Sequence, residues 1–296
     1  SITTGFHSGD TLTFTNTSSA LFGNIAASYN SATGALTLTS SGNTATNAQW
    51  ANALSTVTFS TAPSATPGNR TVSYTVNDAT KTSTASTDTV DVLGPPTITT
   101  DSGSASFVAG DNTASTPVTV DPGLTFTDGT ATSAASATVA VTGGFHSGED
   151  DLAFTNTGSF GNITASYNTG TGVLTLTSAG ATATVAQWQS ALQSVTYTDT
   201  AVTPNNTTRT ISFTAVDSAS ITSNTATRTV TVTDTDQTPI VTTTGTTTNY
   251  TAGTAAAVID SGITVTDLDN TTQATGTVSI TTGFHSGDTL TFTNTS

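Results

Sequence analysis

Ser1-Ile2-Thr3-Thr4-Gly5-Phe6-His7-Ser8-Gly9-Asp10 opens an 18-residue run, ending at Ser18, that returns unchanged as Ser279 to Ser296. A divergent copy lies between them, Ala140-Val141-Thr142-Gly143-Gly144-Phe145-His146-Ser147-Gly148-Glu149. Phe6, Phe145 and Phe284 are spaced by 139 residues each, and the unchanged run by 278. A period of that size reads as an excerpt from a tandem array whose unit is about one domain long. Leu93-Gly94-Pro95-Pro96 and Asp236-Gln237-Thr238-Pro239 each close one strand pattern and open another. Proline stiffens such a joint and cannot donate to a sheet ladder. The expected division is the later part of one unit at 1–94, a complete unit at 95–237, and the start of a third at 238–296.

Around these joints the chain alternates with a period of two. Thr11–Thr15, Ala35–Thr39, Thr71–Val76, Gly123–Thr127, Val173–Thr177, Thr229–Thr233 and Gly262–Thr266 put Leu, Val, Ile, Phe or Tyr on one face and mostly Thr or Ser on the other. Threonine is β-branched, so it favours extended backbone while offering a hydroxyl to water. One wet face per sheet is the habit of antiparallel sheets. Tyr29-Asn30 to Gly34 and Tyr167-Asn168 to Gly172 read as hairpin loops. One segment per unit changes period. Val185, Trp188, Leu192 and Val195 fall at helical spacing behind a Thr184-x-x-Gln187 capping box, and Thr46, Gln49, Trp50 and Leu54 repeat the arrangement. A short helix is expected in each, with Trp50 or Trp188 plugging a core; a sugar platform is the competing reading of the tryptophan.

Composition narrows the functions. Charged residues are 8% of the chain, and 19 acids stand against four bases, Arg70, Lys81, Arg209 and Arg228, for a net charge of −15. No basic stripe exists to neutralise phosphates, so nucleic acid is not an expected partner. No apolar run approaches the roughly 20 residues of a membrane span, so no membrane insertion is expected in this segment. Cysteine is absent, so no disulfide supports the fold. There is no G-x-S-x-G elbow, no H-E-x-x-H and no Gly-rich loop before a helix, and no enzymatic activity is expected. His7, His146 and His285 occupy one equivalent place, each without a second His or a Cys nearby, and read as turn residues rather than zinc ligands.

The order of segments in the complete unit resembles the cadherin-like, immunoglobulin-like repeats of giant bacterial RTX-type, biofilm-associated surface adhesins. The residues that carry it are Leu124–Asp128, Ala137–Phe145, Gly148–Phe154, Asn162–Tyr167, Gly172–Leu176, the Ala186-Gln187-Trp188 helix, Val195–Tyr197 and Thr208–Phe213. The resemblance implies an all-β fold: tandem Greek-key β-sandwiches, each with one short helix, strung end to end. It also implies Ca²⁺ near the joints. The candidate ligands are Asp267 and Asp269, two apart at a strand end, then Asp234 and Asp236, then Asp128, Glu149, Asp150 and Asp217. Asp in turns suits a hard cation, and it equally well accepts local backbone N–H bonds.

The function expected on this basis is structural: a repeat of a long extracellular filament or adhesin on a bacterial surface, acting in attachment, cell–cell contact or biofilm matrix. A self-assembling filament subunit that adds edge strands between chains is the first alternative. A glycan-binding module is the second. The expected partners are neighbouring repeats of the same chain and other copies of the protein.

Overall fold

The alternating runs become strands in the computed structural model, which describes residues 1–62 and 65–294. In residues 1–94 these are β1 (Ile2–Thr4), β2 (Thr11–Thr13), β3 (Ile25–Asn30), β4 (Ala35–Ser40), β5 (Thr58–Ser60), β6 (Gly68–Tyr74) and β7 (Ser86–Val92), with helices α1 (Ser19–Phe22) and α2 (Asn47–Ser55). They fall into three separate sheets, β1-β6-β7, β2-β5 and β3-β4.

Residues 95–237 hold β8 (Thr97–Thr99), β9 (Ser104–Val108), β10 (Val118–Thr119), β11 (Thr125–Thr127), β12 (Ala134–Gly143), β13 (Asp150–Ala153), β14 (Ile163–Asn168), β15 (Val173–Ser178), α3 (Val185–Gln193), β16 (Thr196–Asp199), β17 (Arg209–Asp217) and β18 (Ala226–Thr233). Here a six-stranded sheet forms, in the order β14-β15-β12-β17-β18-β9. β12 sits inside it with both edges bonded, Val139 facing Leu174 of β15 and Phe213 of β17. A three-stranded sheet, β10-β16-β13, and the β8-β11 pair complete the strand set. Beyond Thr238 there are two strands, β19 (Ile240–Thr242) and β20 (Thr264–Thr266), paired only with each other.

Both longer helices start as their sequences require. Thr46 accepts from the Gln49 amide and Gln49 reaches back to the Thr46 amide; Thr184 and Gln187 do the same for α3. Each cap satisfies donors that a helix start leaves free. The hairpin loops also form, β3 with β4 and β14 with β15. At Gly172, φ is +68° and a Cβ would lie 2.7 Å from the Phe145 ring, so only glycine fits.

One large core gathers Val139, Leu176, Trp188, Leu192, Ile211 and Phe213, all fully buried, with residues from 98 to 232. Residues 1–94 supply two small clusters, around Phe14, Phe22 and Ile25, and around Ile2, Leu12 and Val72. No described residue after Gln237 is buried.

These facts correct the expectation of all-β tandem Greek-key β-sandwiches strung end to end. The fold is mixed, 10% helix and 36% strand, with one mixed six-stranded sheet and several small separate ones. β9 joins β18 in parallel, from Ser104 opposite Thr229 to Val108 opposite Thr233, while every other pairing in that sheet is antiparallel. The three stretches of the 139-residue period do not form equivalent beads; the chain is one domain organised about one core. The unchanged run shows this directly. Ile2–Thr4 and Thr11–Thr13 are strands, whereas the same residues at 280–282 and 289–291 are not; Thr295 and Ser296 lie outside the described residues. Alternation specifies which face of a strand is apolar, but a strand exists only where a partner supplies its ladder.

Candidate functional site

The Gly-Phe-His-Ser-Gly turn holds a buried carboxylate. Asp150, a calcium candidate by sequence, is buried and accepts from Arg209 Nε at 2.9 Å (Oδ1) and 3.1 Å (Oδ2). Tyr197 donates its hydroxyl to the same carboxylate, and the His146 amide donates to Oδ2 at 2.7 Å. Arg209 Nη2 donates to Asp199 Oδ2 at 2.9 Å, and its Nη1 to the Asn205 and Thr207 carbonyls. In residues 1–94 the pattern returns in reduced form. Asp10 accepts from Arg70 Nε at 2.8 Å, from Thr61 Oγ1 at 2.8 Å and from the His7 amide at 2.9 Å.

Burial pushes the Asp199 carboxyl up, and the nearby Asp150 charge adds to it. Burial also lifts Asp10, but the bonds from His7, Thr61 and Arg70 outweigh it and hold that carboxyl below its ordinary range. The Arg209 guanidinium is raised: burial works against its charge, and the bond to Asp150 wins. Both arginines and their carboxylates are shut away from solvent, so the networks brace the turn and touch no substrate. Sequence reasoning missed Arg70, Arg209, Asp199 and Tyr197. The available signal was that two of the four bases lie one period apart.

The remaining calcium candidates are dispersed. Glu149 is half-buried, its carboxylate 3.8 Å from His146 Nδ1. Asp128 Oδ1 caps a turn by accepting from the Thr130 and Ala131 amides, and Asp217 Oδ1 accepts from the Ile221 amide. Asp128 and Asp217 each keep one buried oxygen, Oδ2, without a partner, and Asp234 keeps Oδ1. Asp236, Asp267 and Asp269 do approach one another through Asn270, which donates to Asp236 and Asp269; Asp269 also accepts from the Gln237 amide. Among the described residues no group of three or more acidic or His side chains is placed to hold one metal ion. The three histidines sit in turns, each amide donating to an Asp three or four residues on, Asp10, Asp150 or Asp288.

An open cleft of about 1010 Å³ lies in residues 1–94, walled by Leu36 and Leu38 of β4, Trp50 and Leu54 of α2, and Val72 and Tyr74 of β6. Its walls match the central core one for one: Leu174, Leu176, Trp188, Leu192, Ile211 and Phe213, each at most 1% exposed. Of the six named wall residues of the cleft, Val72 is buried and the other five are half-buried. The difference lies in what covers them. Against α3, the Phe126 amide meets Gln189 Oε1 at 3.1 Å, Gln193 Nε2 donates to the Leu124 carbonyl at 2.8 Å, and Trp188 Nε1 donates to the Ala134 carbonyl at 2.8 Å. Around Trp50 the sheets stay separate: β4 pairs only with β3, and the short β1 alone bonds β6 on the side of the cleft.

Compared with known proteins, the chain matches no protein-family model and no curated protein. The resemblance to cadherin-like and immunoglobulin-like adhesin repeats thus has no match behind it, and the mixed sheet and single main core overturn it. The functions that rested on it are corrected too. The mixed sheet and the main core support a single compact domain rather than a repeating adhesin, biofilm or filament module. The self-assembling filament subunit fails with it. A glycan platform would need exposed clustered aromatics, whereas Trp188 is buried and Trp50 lies inside the cleft.

Proposed function

We propose that this chain is a non-catalytic binding module whose working element is the α2 cleft, and that the cleft takes an extended apolar polypeptide segment. The observation that carries this reading is the one-for-one match between the cleft walls and the central core. The same wall residues bury a covering segment completely in one place and stand half-open in the other. Their chemistry is aliphatic and aromatic, and β4, bonded in its sheet only to β3, offers the ladder groups of its second edge to an added strand. A segment alternating apolar and small polar residues meets both demands. The buried Asp–Arg networks keep the turn beside this cleft in place and provide no reacting group at its surface.

The test is titration with a synthetic peptide of alternating Val and Thr, followed through Trp50 fluorescence in a Trp188→Phe background. A saturable blue shift that Leu54→Asp abolishes is the expected result. An unshifted spectrum at peptide concentrations up to solubility overturns the reading.

A further inference from the structure

The turn between β10 and β11 contains the single Asp–Pro bond of the sequence, Asp121–Pro122, and its two sides face different surroundings. Val120, Asp121 and Leu124 are fully buried, whereas Pro122 and Gly123 are exposed. The Asp121 carboxyl is held at one oxygen. Oδ2 accepts from the Asp101 amide at 3.1 Å, and the buried Oδ1 has no partner among the described residues. A buried carboxyl oxygen left unbonded costs stability, so packing alone does not account for it. The main-chain carbonyl of Asp121, the one joined to Pro122, accepts from the Leu124 amide at 3.4 Å. The Asp101 carboxylate lies beside the next residue, where a Cβ on Gly123 would fall 2.0 Å from Oδ2. Arg228 stands near the two acids, with Nη1 donating to the Ser102 carbonyl at 2.9 Å. Burial pushes the Asp121 carboxyl up, against the pull of the Asp101 amide and Arg228, and the Asp101 charge adds to the rise.

We propose that Asp121–Pro122 is a self-cleavage site, at which the chain divides once with water as its sole co-reactant. The free Oδ1 attacks the main-chain carbonyl carbon of its own residue, and a cyclic anhydride forms. The C–N bond to Pro122 breaks, and the carboxyl proton passes to the proline nitrogen, which leaves as a secondary amine. Water then opens the anhydride, giving one fragment that ends at Asp121 with a free α-carboxyl and one that begins at Pro122. The turn serves each step. The Leu124 amide sits on the oxygen that turns negative during attack. Burial favours the neutral carboxyl, whose proton the leaving nitrogen needs. Proline has no N–H, so the competing closure onto the backbone nitrogen is blocked. The exposed Pro122 side admits the water. Asp260, one period on, lacks both requirements: Ser261 follows it, and its oxygens are taken by the Thr244 and Gly262 amides. After cleavage β9 stays bonded to β18 and β10 to β16, so the fragments part only on unfolding.

The test is incubation of the folded chain at about pH 5, just above the ordinary aspartate range, followed on denaturing gels and by mass spectrometry. Two fragments are expected, the second beginning Pro122-Gly123-Leu124. Their rate of appearance should be independent of chain concentration and on the order of tenfold above that of the urea-unfolded chain. Pro122→Ser, which copies Ser261, and Asp121→Asn, which keeps an acceptor for the Asp101 amide, should each leave the chain whole. Unchanged tryptophan fluorescence shows which of the two variants fold, and either one that does decides the point. A folded chain that stays whole for as long as the unfolded chain takes to cleave overturns the proposal. Equal rates in the two states overturn it too, because the fold then adds nothing to the bond's own lability. Cleavage of folded Pro122→Ser at the same place, or a rate that climbs with chain concentration, has the same consequence.

Discussion

Asp150 and Arg209 meet inside the core with Arg209 Nε 2.9 Å from Asp150 Oδ1, and Asp10 and Arg70 repeat the meeting at 2.8 Å, Arg70 lying 139 residues before Arg209 and Asp10 140 before Asp150. Each pair ties the end of the Gly-Phe-His-Ser-Gly turn, where β13 begins in the case of Asp150, to a strand, β17 in one case and β6 in the other. The acid of that turn is thus held by a cation of the chain itself, which explains its burial without a metal ion.

Removing the cation should be costly. Arg209→Met leaves Asp150 and Asp199 buried without their partner, and breaking such a pair from one side costs about 3–5 kcal/mol. Urea denaturation should show that loss. Arg70→Met should chiefly loosen residues 1–94, seen as faster amide exchange there with the central region little changed.

The two tryptophans offer a matched comparison. Trp188 is fully buried and bonded to the Ala134 carbonyl; Trp50 is half-open in the cleft. Trp188→Ala should cost about 3–5 kcal/mol, as large-to-small changes in packed cores do. Trp50→Ala should cost less than half of that when measured on the dilute chain by denaturant titration.

Stability should fall in alkali. Burial first, then the Asp151 and Asp150 charges, push the Tyr167 phenol up to about 12, and burial with the Asp150 bond pushes Tyr197 up as well. A phenol raised in the folded state ionises first in the unfolded one. The stabilisation is complete below pH 10 and is lost as pH rises through the folded value near 12. Phenolate absorbance should therefore rise together with unfolding, later than for free tyrosine.

Acid should act on the two regions with opposite sign. Asp10 lies below its ordinary 3.8, so its contribution is present above that value and is lost as pH falls through the lowered one. Asp199 lies above 3.8, so protonating it favours the fold as pH falls through the raised value. Amide exchange followed by NMR should show residues 1–94 opening before the central region; simultaneous opening would contradict this.

Gly172→Ala should destabilise the β14–β15 hairpin through both its positive φ and the Phe145 ring 2.7 Å from the new methyl. Gly245→Ala, with φ +70° but open space around it, should cost only the backbone strain. The difference in melting temperature between the two isolates the ring contact.

Much of the local structure was legible in advance. The capping boxes at Thr46 and Thr184, the Asn168–Gly172 loop and the alternating strands depend on contacts within a few residues, and the residues that make those contacts are adjacent in the chain. The likeness to adhesin repeats misled because it ordered strands along the chain and took their pairing for granted. Nothing near Asp150 in sequence announces Arg209, 59 residues away, so the pairing is visible only in the fold.

By itself, then, the sequence determined which residues extend, which helices start where, which faces are apolar, and that a 139-residue pattern recurs. Tertiary structure alone decided that one stretch of that pattern closes into a core, that the stretch before it keeps an open cleft, and that the stretch after it lies uncovered. The physical reason is that an apolar face and a free strand edge state a need without naming what meets it. Val139 and Val278 carry the same side chain one period apart, and only the presence of β15 and β17 on either side buries the first and not the second.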